Sequence, residues 1–191
     1  MTSPEFPILG TEPLPVELAN TLYGTGDERI DFLRTSDRVG RWFALVSARG
    51  GPAVSVTAMK REAHRTRLVR DSVRDLLSAA IDRSRPDEAA IDRLNAFARA
   101  APGYPQLDWP SDGRPIAVAH DTATGAAAVL GGIATSCISL LTHPGTADAL
   151  RRCETPDCTL LFVKSHPRRR WCHASCAHRE RQARYYRRHR F

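Results

Sequence analysis

Cys153, Cys158, Cys172 and Cys176 fall as C-x4-C, a gap of thirteen residues, then C-x3-C, near the end of this 191-residue chain. Zinc takes four tetrahedral ligands with Zn–S bonds of about 2.3 Å, and two short-loop cysteine pairs on separate knuckles let one chain reach that geometry. Four thiolates close the coordination shell, whereas a catalytic zinc keeps one position open, so the spacing predicts one structural Zn2+ per chain. The alternative is four unpaired structural thiols. A redox pair is disfavoured because C-x-x-C is absent. His166, His173, His178 and His189 are substitute ligands that four cysteines make unnecessary, and they read as polar surface or phosphate-contacting groups. The fifth cysteine, Cys137, reads as a buried small hydrophobe.

A second constellation overlaps the first. At helical pitch Arg179, Arg181, Arg184, Arg187, Arg188 and Arg190 cover an arc of roughly 200°, with Lys164, Arg168, Arg169 and Arg170 on the preceding turn. From residue 151 onward twelve Lys/Arg face three Asp/Glu, so a local net of +9 exceeds the chain's +7 and leaves −2 for the rest. These ten cations are the candidate nucleic-acid contacts. Neutralising phosphates with them gives salt-sensitive DNA binding, with sequence reading open to a helix that enters the major groove. The competing readings are a solvated basic face and a surface that docks an acidic protein.

The elements that must position these groups predict a mainly α chain (α+β): an N-terminal helical domain with a β-hairpin over residues 1–145, then a small four-cysteine zinc finger with a basic helix over 146–191. Four prolines in the first fifteen residues suggest an extended arm. Asp27 reads as the cap of a helix over 27–46, with Ile30, Leu33, Val39, Trp42, Phe43 and Val46 as its apolar stripe. A second helix is expected over 58–82, apolar on one side and arginine-bearing on the other, and a third after the Asp87 cap, with Ala90, Ile91, Leu94, Phe97 and Ala98 inward. Tyr104 to Trp109 and Pro115 to Ala119 flank the turn residues Pro110-Ser111-Asp112-Gly113, which predicts the hairpin. An Ala/Gly-rich helix over 122–141 is small-sided enough for the centre of a bundle. In the finger, Leu160 to Val163 reads as a strand, with a second strand ending at Trp171, in a treble-clef or ribbon-like arrangement whose last cysteine pair opens the terminal helix.

The stretch Cys153-Glu154-Thr155-Pro156-Asp157-Cys158, then Leu161-Phe162, then Arg169-Arg170-Trp171-Cys172-His173-Ala174-Ser175-Cys176-Ala177-His178-Arg179 resembles the CGNR zinc-finger family of bacterial regulators. The likeness extends to the α-rich, stress-induced transcription-regulator-like domain that accompanies that finger, through Leu18-Ala19-Asn20-Thr21, Val73-Arg74 and Leu94-Asn95. Two departures stand out: Ala177 and His178 replace the Gly-Asn of the signature, and Val163-Lys164 replaces an acidic residue usual after the apolar strand. The resemblance implies a transcription regulator whose helical domain senses a small-molecule effector or a protein partner. Asn20, Thr21, Arg74 and Asn95 are the candidate pocket residues; helix capping and satisfied core polar groups are the other reading of them.

Several classes are disfavoured. No triad, carboxylate pair or phosphate loop stands out, so no enzymatic role is expected. The longest apolar stretch is interrupted and a little short for a bilayer span, which takes about 20 residues. With no evident leader, a cytoplasmic protein without a membrane partner is expected. A single finger suggests a homodimer by analogy with paired half-sites.

Overall fold

The computed structural model describes residues 6–111 and 113–189. Pro13 and Pro15 open helix α1 (Leu14–Ala19), where a missing N–H costs nothing and a fixed φ suits the first turn. Strands β1 (Leu22–Tyr23) and β2 (Ile30–Asp31) then pair antiparallel around a short 3-10 turn at Gly26–Glu28. Gly24 and Gly26 supply the positive φ values that this reversal requires.

This hairpin replaces the front of the helix expected over 27–46. Helix α2 (Ser36–Ser47) starts only where the Thr35 hydroxyl accepts the Arg38 N–H at 3.3 Å. Asp27 therefore caps nothing, and Ile30 is exposed rather than part of an apolar stripe. The expected 58–82 helix is likewise two: α3 (Val56–Arg61), capped by Ser55, and α4 (Ala63–Asp82), with Glu62 breaking the line between them. Its arginines do not all face solvent, because Arg70 is only 3% exposed.

Helix α5 (Glu88–Ala100) begins at Asp87, whose carboxylate accepts the Ala89 N–H at 3.0 Å. Strands β3 (Gly103–Asp108) and β4 (Ile116–Asp121) form the expected hairpin, closed by Gly113 N–H on the Pro110 carbonyl; Asp112 of the expected turn lies outside the described residues. Helix α6 (Gly125–Thr142) packs closely on α5 at Gly131, where a Cβ would lie 2.3 Å from that of Ala101. It is the one helix among the described residues long and apolar enough to cross a membrane. Here Leu130, Ile133, Ala134, Cys137 and Leu140 are buried in the bundle, while Gly132, Thr135 and Ser139 remain exposed. The central position belongs to α4, which touches α1, α2, α3, α5 and α6.

The short helix α7 (Pro144–Ala147) leads into strand β5 (Leu150–Arg152), which pairs with β6 (Leu161–Val163), and helix α8 (Ala174–His189) ends the described chain. The partner of β6 thus precedes the first cysteine; residues 165–173 are turns and irregular chain rather than the strand expected before Trp171. Alternation along a strand sends successive side chains to opposite faces. Leu161 accordingly joins the core of the helical body, while Leu160 and Phe162 pack with the four cysteines.

Candidate metal centre and basic helix

Local backbone bonds bring the four thiols together. Cys153 N–H donates to the Leu160 carbonyl at 3.0 Å, so the chain leaving β5 meets the chain entering β6. Between them Cys158 N–H donates to the Thr155 carbonyl, and Asp157 takes a φ of 65°, which aspartate tolerates better than most residues. From the other knuckle Cys172 N–H points at Cys153 Sγ, 3.4 Å away. His173 is not a ligand: its Nδ1 accepts the Ser175 N–H at 3.2 Å and opens α8.

The resulting four Sγ atoms lie within 4.8 Å of one another and all four residues are buried. Cys172 stands 3.7 Å from both Cys158 and Cys176, and Cys158 stands 3.9 Å from Cys176. A tetrahedron with Zn–S bonds of about 2.3 Å has edges of about 3.8 Å, which the three distances among Cys158, Cys172 and Cys176 match, with Cys153 Sγ within 4.8 Å of each to complete the donor set. No pair is bonded as a disulfide. Hydrogen bonds with Cys158 and Cys172 hold the Cys153 thiol below the ordinary thiol range, while sharing a proton with Cys153 pushes Cys158 up to about 12 and Cys172 up as well. A divalent cation held by the four cysteines would take the place of these shared protons, with all four as thiolates. Four thiolates around Zn2+ leave excess negative charge, and Arg179 meets part of it by donating from Nη2 to Cys176 Sγ at 3.0 Å. The fifth thiol, Cys137, is fully buried in α6, and burial pushes it up to about 12.

The candidate cations divide into two groups. Arg169 is spent on the structure: it donates to the carbonyls of Val163 at 3.0 Å and Cys172 at 2.9 Å, pairs with Glu12 at 2.7 Å and lies over the Phe162 ring. Glu12, whose side chain is 1% exposed, also accepts the Val163 N–H at 2.7 Å. The carboxylate missing after the apolar strand is thus met by one from the N-terminal arm. Arg170 pairs with Glu154 at 2.5 Å and Arg179 caps the metal site. Lys164 and Arg168 have no side-chain partner among the described residues. On α8, Cys176, Ala177, Glu180 and Ala183 form the less exposed stripe, and Arg181, Arg184, Arg187 and Arg188 project into solvent. Glu180 is shared between Arg187 at 3.0 Å and Arg184 at 3.8 Å. Exposed Tyr185 and Tyr186 sit among these arginines, Tyr185 stacked on His189 at 4.2 Å. Arg190 lies outside the described residues.

Of the four candidate pocket residues, Arg74 reaches the Ala19 carbonyl beside Asn20 and Thr21, whose side chains are engaged by backbone partners. Asn20 is fully buried and exchanges two hydrogen bonds with the Leu161 backbone, donating at 3.0 Å and accepting at 2.8 Å. Thr21 donates to the Leu18 carbonyl at 2.6 Å. Asn95 sits on α5 and lines none of the described cavities, whereas Arg74 walls one together with Leu22, Arg29, Asp31, Arg70, Asp71 and Asp75. Sequence reasoning passed over most of that cavity and over Glu12. The signal for the first was available in Arg70-Asp71 repeated four residues later as Arg74-Asp75, a helical spacing that stacks like pairs on one face. No local pattern marks Glu12, whose partner Arg169 lies 157 residues away.

Comparison with known proteins finds two family models along the chain. Residues 12–144 match the ABATE family, described as "putative stress-induced transcription regulator", and residues 149–189 match the CGNR zinc finger. No curated protein matches the chain.

Proposed function

Because the chain belongs to the ABATE family and carries a CGNR zinc finger that binds one zinc through Cys153, Cys158, Cys172 and Cys176, we propose that it regulates transcription by binding DNA through α8, with the helical body receiving a signal. The observation that carries this is the anchoring of α8. Cys176 fixes its first turn to the metal, and Arg181, Arg184, Arg187 and Arg188 extend beyond it with Glu180 as the sole acidic residue on the helix. A rigidly mounted row of cations presents phosphate contacts without the ordering cost of a free basic tail. Lys164 and Arg168 add to that field, while Arg169 supports it from within.

DNA binding by the zinc-loaded chain across a salt series tests the reading. The expected result is affinity that falls steeply with salt and is lost in Cys172→Ser. Arg184→Gln with Arg188→Gln is expected to reduce the slope of log K against log[salt] by about 0.9 per phosphate contact removed. Equal binding by wild type and Cys172→Ser, or none at low salt, overturns it. Tyr185 and Tyr186, 58% and 65% exposed, favour a second reading in which α8 docks an acidic protein surface. Partners retained after nuclease treatment support that alternative.

A further inference from the structure

Arg70, Asp71, Arg74 and Asp75 place two like pairs one turn apart on α4, and the β1–β2 hairpin brings Leu22, Arg29 and Asp31 against them. Together these seven residues wall an open cavity of about 460 Å3. That is within the usual range for metabolite sites, about 300–1,000 Å3.

Its charges are satisfied unequally. Arg70 uses Nη1 and Nη2 on the Asp31 carboxylate and Nε on Asp71 Oδ1 at 2.8 Å, and Asp31 further accepts the Leu33 N–H at 2.7 Å. The buried Arg70 is thus fully engaged by two partly exposed carboxylates. Arg74 makes one bond, from Nη1 to the Ala19 carbonyl at 3.0 Å, and has no carboxylate at ion-pair distance among the described residues. Arg29 has no side-chain partner among those residues, and neither has Asp75.

The surroundings work against both unpaired groups on α4. Burial, then Arg29, Arg152 and Arg70, hold Arg74 below the ordinary guanidinium value, with Asp75 alone opposing them. Burial, then the neighbouring Asp71, push Asp75 above the ordinary carboxylate value, with Arg93, Arg29 and Arg74 opposing them. A cation crowded by cations and a carboxylate beside a carboxylate are each relieved by an opposite charge in the space between them. Arginine's planar fork suits carboxylate and phosphate oxygens in particular.

We infer that this cavity binds a small zwitterion, its carboxylate or phosphate held by Arg29 and Arg74 and its ammonium facing Asp75. The inference deepens the proposed regulatory reading by naming the ligand class, and it is tested without DNA, so the two can fail separately.

Calorimetric titration of the zinc-loaded full chain with O-phosphoethanolamine, inorganic phosphate and ethanolamine separates the contributions. Saturable one-site binding is expected for O-phosphoethanolamine, weaker binding for phosphate, and none for ethanolamine. Arg29→Ala and Arg74→Met are each expected to weaken O-phosphoethanolamine by roughly tenfold, consistent with loss of one charge-assisted pair. Asp75→Asn is expected to erase its advantage over phosphate. Arg29 is exposed, so loss of binding in that variant cannot be put down to misfolding. Arg181→Gln with Arg184→Gln, which lie on α8, is expected to leave O-phosphoethanolamine affinity unchanged while weakening DNA binding. The inference is overturned by absence of saturation, by affinity indifferent to Arg29→Ala and Arg74→Met, or by loss that follows the α8 substitutions. It is equally overturned where Arg29→Ala weakens duplex DNA binding and leaves O-phosphoethanolamine untouched, which assigns these arginines to nucleic acid.

Discussion

Trp42, Phe43, Leu77, Leu130 and Ile133 lock the helical body by filling one another's space, whereas among the described residues the finger's core is Leu160, Phe162 and four cysteines, with Leu9, Tyr23 and Trp171 at the edge. Apolar area removed from water holds the first. A core that small cannot offset the entropy of ordering some forty residues, so the second depends on ligand bonds. Each region therefore fails under a different insult, and the seam between them is where they share a fate. Leu150 and Leu161 cross that seam into the body's core. Around them run polar ties: Asn20 to Leu161, Tyr23 Oη to the Asp157 carbonyl at 3.0 Å, Gly24 N–H to Thr159 at 2.8 Å, and Arg152 to Asp82 at 2.6 Å.

Metal removal is the largest test of this contrast. Structural zinc contributes about 10–16 kcal/mol of binding free energy in isolated finger peptides. Chelation, or Cys172→Ser, is expected to release one zinc per chain and open the finger to trypsin at Lys164 and Arg168–Arg170, while cooperative melting of the body persists. Protection that survives metal loss would mean that docking to the body alone suffices to fold the finger. The converse insult is Phe43→Ala, which empties a fully buried site on α2. A loss of about 3–5 kcal/mol from the body's unfolding free energy is expected, with bound zinc retained below the melting transition. Zinc release at temperatures where the body is still folded would break the separation.

The seam responds to both. Asn20→Ala leaves the Leu161 N–H and carbonyl without partners in a buried position. Each orphaned group costs about 1–3 kcal/mol, so the expected signature is a body unfolding free energy lowered by about 2–4 kcal/mol, together with faster zinc loss to chelator. An effect on only one of the two would place Asn20 inside that region rather than between them.

Legibility in the sequence followed the same division. The metal site could be read from cysteine spacing because ligand bonds need only a few residue types at short separations. The β3–β4 hairpin and the Asp87 cap were equally local and could be read. The 27–46 helix was misread because Val39, Trp42 and Phe43 carry a true helical stripe, whereas Ile30 belongs to a two-residue strand whose partner, Leu22–Tyr23, carries no periodicity. The expected strand before Trp171 failed for a related reason: β6 pairs with β5 across the metal loop, and nothing near Leu161 announces that partner. Arg169 shows the limit for function. Its neighbours mark it as one of a cationic run, yet Glu12 from the far end of the chain turns it into a support for the finger.

The arm that supplies Glu12 gives the subtlest test. Glu17 on α1 is buried and accepts the backbone N–H groups of Leu9 at 2.9 Å, Gly10 at 2.5 Å and Glu12 at 3.4 Å, so one carboxylate holds the strap that presents Glu12 to Arg169. Burial raises its pKa from the ordinary 4.5, against those three N–H bonds, with Glu12 adding a smaller push in the same direction. A group whose folded value lies above its unfolded value stabilises fully below the unfolded value and loses that contribution as pH rises through the folded one. Glu17→Gln cannot ionise. The stability of wild type minus that of Glu17→Gln is therefore expected to fall as pH rises from 4.5 toward neutrality and then to level off, and taking the difference cancels titration at the cysteines and elsewhere. Denaturant melts of the two zinc-loaded proteins at a series of pH values measure it. A difference that instead grows with pH would mean that the three N–H groups outweigh desolvation. The strap would then be held by a carboxylate that prefers its charge, and the arm would tighten the finger onto the body most strongly above the carboxylate range.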